Sequence, residues 1–99
     1  MENDFFRIVK HYGVLNQARH FHEENYELIE AMFDYEYADH SGDSDYEERL
    51  KEHIAEEIAD NLNFLKQFQL YYGIEDEVIE DIREFKNKRT LERIVKWGE

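Results

Sequence analysis

The sequence predicts an all-α protein, a bundle of about four helices that forms one domain over residues 1–99. The chain has no proline and only four glycines, so long stretches lack the residues that usually break helices. Its apolar residues recur at steps of three and four, which is the spacing of one helix face. Ninety-nine residues suit one domain, because a second domain would leave each half with too small a core.

The first two helices are predicted to meet at Gly13. A short first helix should end there, because glycine readily adopts the backbone conformation that follows a helix. From about Leu15 the apolar residues fall at helical spacing, so the second helix should run to about Ala38. The polar run 39–44 is the clearest loop in the chain.

The third and fourth helices follow this loop. Ser44 and Glu47 have the spacing of a capping box, in which two side chains satisfy free N–H groups at a helix start. The third helix should then run to Gly73. Asp76 and Glu77 lie in the first turn of a fourth helix, where the helix dipole favours acidic residues. The two long antiparallel helices bury little surface alone, so we expect a partner subunit to complete the core.

Composition and charge exclude several classes of protein. The chain has 12 basic and 25 acidic residues, a net charge of −13, whereas a general nucleic-acid binder needs clustered Lys and Arg. No apolar run is long enough to span a bilayer, and the first residues lack the features of a signal peptide. The absence of cysteine excludes disulfides and thiolate metal ligands. We therefore expect a cytoplasmic protein that binds neither membranes nor nucleic acids.

Four acidic residues differ from the others. Glu24 and Glu27 lie one turn apart on the second helix, and Glu57 and Asp60 repeat this spacing on the third. Residues three apart share a helix face, and none of these four has Lys or Arg three or four positions away. Glu24 and Glu57 also border the apolar stripe, where clustered carboxylates repel each other and lose hydration. Such a group needs a cation, and carboxylates without cysteine favour Mg²⁺ or Mn²⁺.

The alternative is that these residues are ordinary surface acids of an acidic helical protein. About one residue in four is acidic, so pairs at this spacing also arise by chance. The corresponding function is a non-catalytic interaction protein, such as a module that mimics the phosphates of DNA. A mimic needs its acids spread over the surface, whereas a hydrolase needs them to converge across two helices.

Two motifs in this region resemble those of the MazG-like nucleoside triphosphate pyrophosphohydrolases, which belong to the all-α NTP pyrophosphatase superfamily. Residues 23–27 match the family pattern E-E-x-x-E, and residues 56–60 match the pattern E-E-x-x-D. A glycine turn at 72–74 and a basic segment at 86–89 follow in the order that the family has. The segment 88–94 is similar to short single-domain members common in phages and prophages.

The resemblance implies an activity, a cofactor and an assembly. Family members hydrolyse an NTP or dNTP to the monophosphate and pyrophosphate with Mg²⁺, and Mn²⁺ is the alternative cation. The second Glu of each motif and the acid three residues later hold the metal, which here are Glu24, Glu27, Glu57 and Asp60. Members are homodimers or homotetramers with a four-helix core shared between chains.

The resemblance also suggests catalytic and substrate-binding residues. Glu23 and Glu56, next to the implied metal ligands, are the candidates to orient or deprotonate the attacking water. The family's downstream basic residues contact the phosphates, and here these are Lys86 and Arg89, three apart on one helix face. The other interpretation of this basic segment is a cation cluster that complements the dipole near the helix C-terminus.

Two neighbours of Glu57 are further candidates. Asn61, one turn later, stands where family members often have an aliphatic residue, and it could orient a metal ligand or bind the substrate. His53, one turn earlier, could contact a phosphate or a ligand carboxylate. Both residue types are more often structural or solvated on a helix.

Overall fold

The computed structural model describes residues 3–42 and 44–98, except the side chain of Trp97. This part of the chain forms four helices and no strand: α1 (Asp4–Tyr12), α2 (Val14–Glu36), α3 (Ser44–Tyr71) and α4 (Asp76–Trp97). The predicted all-α bundle of about four helices is thus confirmed. Within the described residues, no helix is both long enough and apolar enough to cross a membrane.

Gly13 forms the corner between α1 and α2. Its φ of 90° lies in the region that L side chains rarely adopt, which is why glycine stands here. The Gly13 N–H donates to the carbonyl oxygen of Val9 at 2.9 Å, and the Gly13 carbonyl accepts from the N–H of Gln17 at 3.0 Å. One residue therefore closes the first helix and opens the second, and Val9 is fully buried beneath the corner.

Helices α2 and α3 run antiparallel and form the centre of the structure. Gln17 near the start of α2 contacts Gln67 near the end of α3, with Gln17 Nε2 donating to Gln67 Oε1 at 2.8 Å. At the opposite end, the Tyr35 hydroxyl donates to Glu47 Oε1 at 3.0 Å. Helix α1 packs against both of these helices. The middle of the α2–α3 pair therefore lies between two polar contacts.

A cluster of aromatic rings fills part of the space between α2 and α3. The Phe21 ring lies 5.4 Å from the Phe68 ring in an edge-to-face arrangement and 6.0 Å from the Phe64 ring. These rings are half-buried, and Val9 and Ala31 are the only fully buried apolar residues in the described chain. Phe21 is one turn before Glu24 on the same face of α2, so the aromatic rings lie on the side of the helix from which Glu24 projects.

Helix α4 stands apart from the rest of the described chain. None of its Cα atoms lies within 8 Å of a Cα atom in α1, α2 or α3. Its first turn is tied to α3, because Asp76 accepts hydrogen bonds from Lys66 Nζ at 3.1 Å and Gln69 Nε2 at 2.6 Å. Beyond that turn its large apolar residues are exposed, among them Ile82 and Phe85.

The chain is extended for its length. Its radius of gyration is 17.5 Å, against about 13 Å for a compact domain of this size. Its accessible surface is 8286 Å², against about 6,100 Å² for a compact monomer of this mass. The fold therefore leaves uncovered a large area that a compact domain would bury.

Candidate metal centre

Three of the four predicted metal ligands come together between α2 and α3. Glu24 projects from α2, while Glu57 and Asp60 lie one turn apart on α3. One carboxylate oxygen of each lies within 4.8 Å of the other two. Glu57 is buried, Glu24 is half-buried and Asp60 is exposed, so the cluster extends from the interior to the surface. A ligand could therefore enter from the side of Asp60.

Glu27 does not belong to this group of three. Its side chain is exposed, one turn after Glu24 on α2. It does interact with Glu24, because its charge and a hydrogen bond between the two carboxyl groups both raise the pKa of Glu24. Glu27 therefore lies at the edge of the cluster, in electrostatic contact with it.

Buried oxygen atoms without hydrogen-bond donors mark the inner side of the cluster. Glu57 and Asn61 are more than nine-tenths buried, with exposed fractions of 8% and 7%. Oε2 of Glu24, Oε2 of Glu57 and Oδ1 of Asn61 are buried and accept no hydrogen bond from the described residues. Buried polar atoms normally have partners, so these three acceptors need an explanation.

The pKa of Glu24 also indicates that the carboxylate cluster lacks a positively charged partner among the described residues. Its pKa is raised from 4.5 to about 7. Loss of hydration is the largest cause, followed by repulsion from Glu27 and then from Asp60. The negative charge of this carboxylate is therefore unfavourable in the protein alone, and a bound cation would reverse that balance.

Two further side chains contact the cluster. His53 Nε2 lies 3.3 Å from Glu57 Oε1, on the exposed side of the carboxylate. Asn61 lies on the inner side, where its Nδ2 donates to the carbonyl oxygens of Glu57 at 2.7 Å and Glu24 at 3.1 Å. The sequence could not distinguish a solvated Asn61 from a functional one, and the structure places it between the two helices.

The predicted catalytic carboxylates lie outside the converging group. Glu23 and Glu56 each precede a cluster residue in the chain, so each points about 100° away around its helix. Both side chains are exposed. They flank the cluster on the solvent side of α2 and α3.

The predicted phosphate-binding residues are on the separate helix. Lys86 and Arg89 are exposed on α4, and the Arg89 guanidinium lies 5.7 Å from the centre of the Phe85 ring. Because α4 does not pack on α2 or α3 in the described chain, the fold of one chain does not bring these two residues to the carboxylates.

The donor set suits a hard divalent cation. Three carboxylates supply negative oxygen ligands, and Asn61 adds a neutral buried oxygen nearby. Magnesium and manganese prefer such oxygen ligands, whereas zinc sites are rich in cysteine and histidine. The residues present therefore fit Mg²⁺ or Mn²⁺, and the buried acceptors without donors are the observation on which this fit rests.

The fold and the cluster define the chain as a helical protein with a partly buried three-carboxylate centre. No protein-family model, curated protein or solved structure matches the chain. The MazG-like resemblance thus stays a prediction based on the motif residues, and the structure contributes the geometry of those residues.

Proposed function

We propose that this protein is a Mg²⁺-dependent nucleoside triphosphate pyrophosphohydrolase of the MazG-like type. The observation that carries the proposal is the convergence of Glu24, Glu57 and Asp60 from two helices, with buried oxygens that lack donors. A surface that mimics DNA would place its acids outward and apart, and it would not bury Glu57 without a partner for Oε2.

Each residue of the site has a defined part in this proposal. Glu24, Glu57 and Asp60 hold the cation, and Glu27 adds a fourth carboxylate from the next turn of α2. A bound Mg²⁺ neutralises charge on the phosphate oxygens and lowers the pKa of a water molecule. Such an ion also makes the cluster attractive to a polyphosphate that a chain of net charge −13 would otherwise repel.

The reaction is hydrolysis of the bond between the α and β phosphates. The oxygen of water forms a bond to the α phosphorus, and the bond from that phosphorus to the bridging oxygen breaks. Pyrophosphate leaves with the bridging oxygen, and the nucleoside monophosphate remains. Glu23 or Glu56, beside the cluster on its solvent side, accepts the proton of the water. The cytoplasm is the proposed location of this activity.

A homodimer or homotetramer is part of the proposal. The surface in excess of a compact monomer is about 2,000 Å² per chain, which is within the range that permanent interfaces bury. A second copy carries the same exposed apolar faces, so two copies cover each other. Light scattering should give a mass of two or four chains, and a monomer would contradict this part of the proposal.

The second copy also accounts for the position of Lys86 and Arg89. Since α4 stands away from its own α2–α3 pair, these residues reach phosphates at a cluster only from another chain. A mixture of the Glu57→Gln variant with a Lys86→Gln, Arg89→Gln double variant should then regain activity that each lacks alone. A mixture that stays inactive would contradict a contribution from another chain, and a double variant that is fully active alone would remove these residues from the proposed site.

The decisive experiment is a pyrophosphate-release assay across the common NTPs and dNTPs with Mg²⁺ or Mn²⁺. We expect pyrophosphate and the matching monophosphate from the wild type and a loss of at least about 100-fold in Glu57→Gln, because changes around a metal ligand already cost 10–100-fold. Glu47→Gln is the matched control, an acid on the same helix that has its own partners. Orthophosphate and a diphosphate would indicate cleavage of a different bond. No product with any nucleotide would favour the acidic interaction protein.

A further inference from the structure

Asn61 connects α3, which carries Glu57 and Asp60, with α2, which carries Glu24. It lies one turn after Glu57 on α3, and it contacts α2 at the carbonyl oxygen of Glu24. Its exposed fraction is 7%, so water from the bulk does not satisfy it. MazG-like proteins often have an aliphatic residue at the corresponding position, so the Asn61 amide is a difference between this sequence and the family pattern that it resembles.

The orientation of the Asn61 amide is fixed by its contacts. An asparagine amide has two N–H donors on nitrogen and only acceptor capacity on oxygen. The group within 2.7 Å of the Glu57 carbonyl oxygen and 3.1 Å of the Glu24 carbonyl oxygen must therefore be the nitrogen. A flipped amide would set oxygen against oxygen at both places.

This orientation determines what Oδ1 can do. With Nδ2 held by two carbonyls, Oδ1 is on the other side of the amide, buried and without a donor among the described residues. Oε2 of Glu24 and Oε2 of Glu57 are likewise buried acceptors without a donor among the described residues. A water molecule is the simplest donor for Oδ1, and Mg²⁺ and Mn²⁺ usually keep several water molecules when they bind.

We infer that Asn61 is a positioning residue of the cation site, whose Nδ2 fixes the spacing of the Glu24 and Glu57 turns and whose Oδ1 accepts a hydrogen bond from the hydration shell of the cation. The inference rests on the proposed cation site and adds a residue to it. Asn61 acts through the carboxylates and touches neither the scissile bond nor the phosphates.

The test measures Mn²⁺ binding to the full-length protein by electron paramagnetic resonance, without nucleotide. Asn61→Leu removes the amide and keeps a side chain branched at the same atom, although leucine is larger, and Asn61→Ala is the second variant should leucine impair folding. Gln67→Met is the matched control, because Gln67 is 5% exposed and accepts from Gln17 between the same two helices, away from the acids. Thermal unfolding without metal is recorded for all of them.

We expect both Asn61 variants to bind Mn²⁺ 10–100-fold more weakly than the wild type, which is the usual cost of losing an outer-shell partner of a metal ligand. Gln67→Met should keep the wild-type Mn²⁺ affinity to within about twofold, because it leaves that outer shell intact, and its melting temperature should fall like that of the Asn61 variants.

Other outcomes would overturn the inference. Mn²⁺ affinities that agree within about twofold for the wild type, both Asn61 variants and the control would remove Asn61 from the site and leave the proposed function standing. A wild type that binds no Mn²⁺ would overturn the inference and the proposed function together. Loss of the fold in both Asn61 variants would make Asn61 a structural residue only.

Discussion

Two groups of acidic side chains lie between the same pair of helices and have opposite electrostatics. At the loop end of α2 and α3, Glu47 accepts from the Tyr35 hydroxyl at 3.0 Å, with His40 Nδ1 at 3.4 Å and Lys51 Nζ at 3.9 Å. These contacts lower its pKa, the Tyr35 hydrogen bond being the largest cause. In the middle of the pair, the pKa of Glu24 is raised to about 7.

The two sites differ in the hydrogen-bond donors that surround their carboxylates, since both are built from acidic residues between the same two helices. Glu47 is supplied with a hydroxyl, an imidazole and an ammonium group, so its charge holds the loop end together. Glu24, Glu57 and Asp60 have one imidazole at the edge and oxygens without donors inside. An acid with its own partners stabilises the fold, whereas a cluster without them suits the proposed cation site.

The largest expected effect is the response to metal. A cation present at 100 times its dissociation constant stabilises the folded state by about 2.7 kcal/mol. For a chain of this length that corresponds to a rise of about 10–20 °C in melting temperature. Thermal unfolding with Mn²⁺ or Mg²⁺ and then with excess EDTA measures the rise and its reversal. Glu57→Gln should abolish the metal-induced rise in melting temperature, and Glu47→Gln should keep it. Equal rises in both variants would contradict the assignment of the cation to the Glu24, Glu57 and Asp60 cluster.

The next effect is on the stability of the metal-free protein at pH 8. Glu24→Gln should raise the free energy of unfolding by about 1–2 kcal/mol, because it removes an unfavourable charge whose raised pKa measures its cost. Glu47→Gln should lower the free energy of unfolding, since it weakens hydrogen bonds to a charged acceptor. Urea unfolding at constant pH measures both, and changes of the same sign would contradict the comparison.

The pH dependence of the metal-free protein should follow from Glu24. Its pKa in the folded protein, about 7, is above the value of 4.5 for an unperturbed carboxyl group, so the folded state binds more protons between these two pH values. The stability of the metal-free protein should therefore fall as the pH rises from 4.5 to 7, by about 1–2 kcal/mol. Urea unfolding at a series of pH values measures the slope, and Glu24→Gln should flatten it. A wild-type slope that the variant retains would assign the effect to another group.

The smallest effect concerns the contact between Tyr35 and Glu47. Tyr35→Phe removes one hydrogen bond to a partly exposed carboxylate, so it should lower the free energy of unfolding slightly. It should also raise the pKa of Glu47, because the hydroxyl is the largest cause of the lowered value. Nuclear magnetic resonance titration of the side chain measures that rise, and an unchanged Mn²⁺ affinity in the same variant serves as the control.

The helices were predictable because their signals are local. Gly13 and Gly73 adopt positive φ at the ends of α1 and α3, and the three- and four-residue periodicity between the breakers specifies helix without reference to the rest of the chain. The second helix ends at Glu36, two residues before the predicted Ala38. The Tyr37 N–H still donates to the Phe33 carbonyl, and helix ends commonly vary by this much.

The candidate site was predictable only in part. The absence of cationic neighbours within one helix indicated four residues, Glu24, Glu27, Glu57 and Asp60, and that property is visible in the sequence. The structure brings three of them together and leaves Glu27 outside that group. Asn61 was also a candidate in the sequence, but its hydrogen bonds were not predictable, because its partners are backbone carbonyls on two helices and any residue has a carbonyl. The interpretation of Glu47 as a capping residue came from its own helix, whereas the structure pairs its carboxylate with Tyr35 from α2.

The polar contacts between α2 and α3 have a consequence for the axial alignment of the two helices. The smallest slide that returns the same face of each helix to the interface is one turn, about 5.4 Å. Such a slide would exceed the 4.8 Å that encloses the three carboxylate oxygens, and the cluster would separate. Gln17 with Gln67 and Tyr35 with Glu47 are contacts between two side chains, and each pair meets in one alignment only. These side chains therefore select the single position of the helices in which the carboxylates meet.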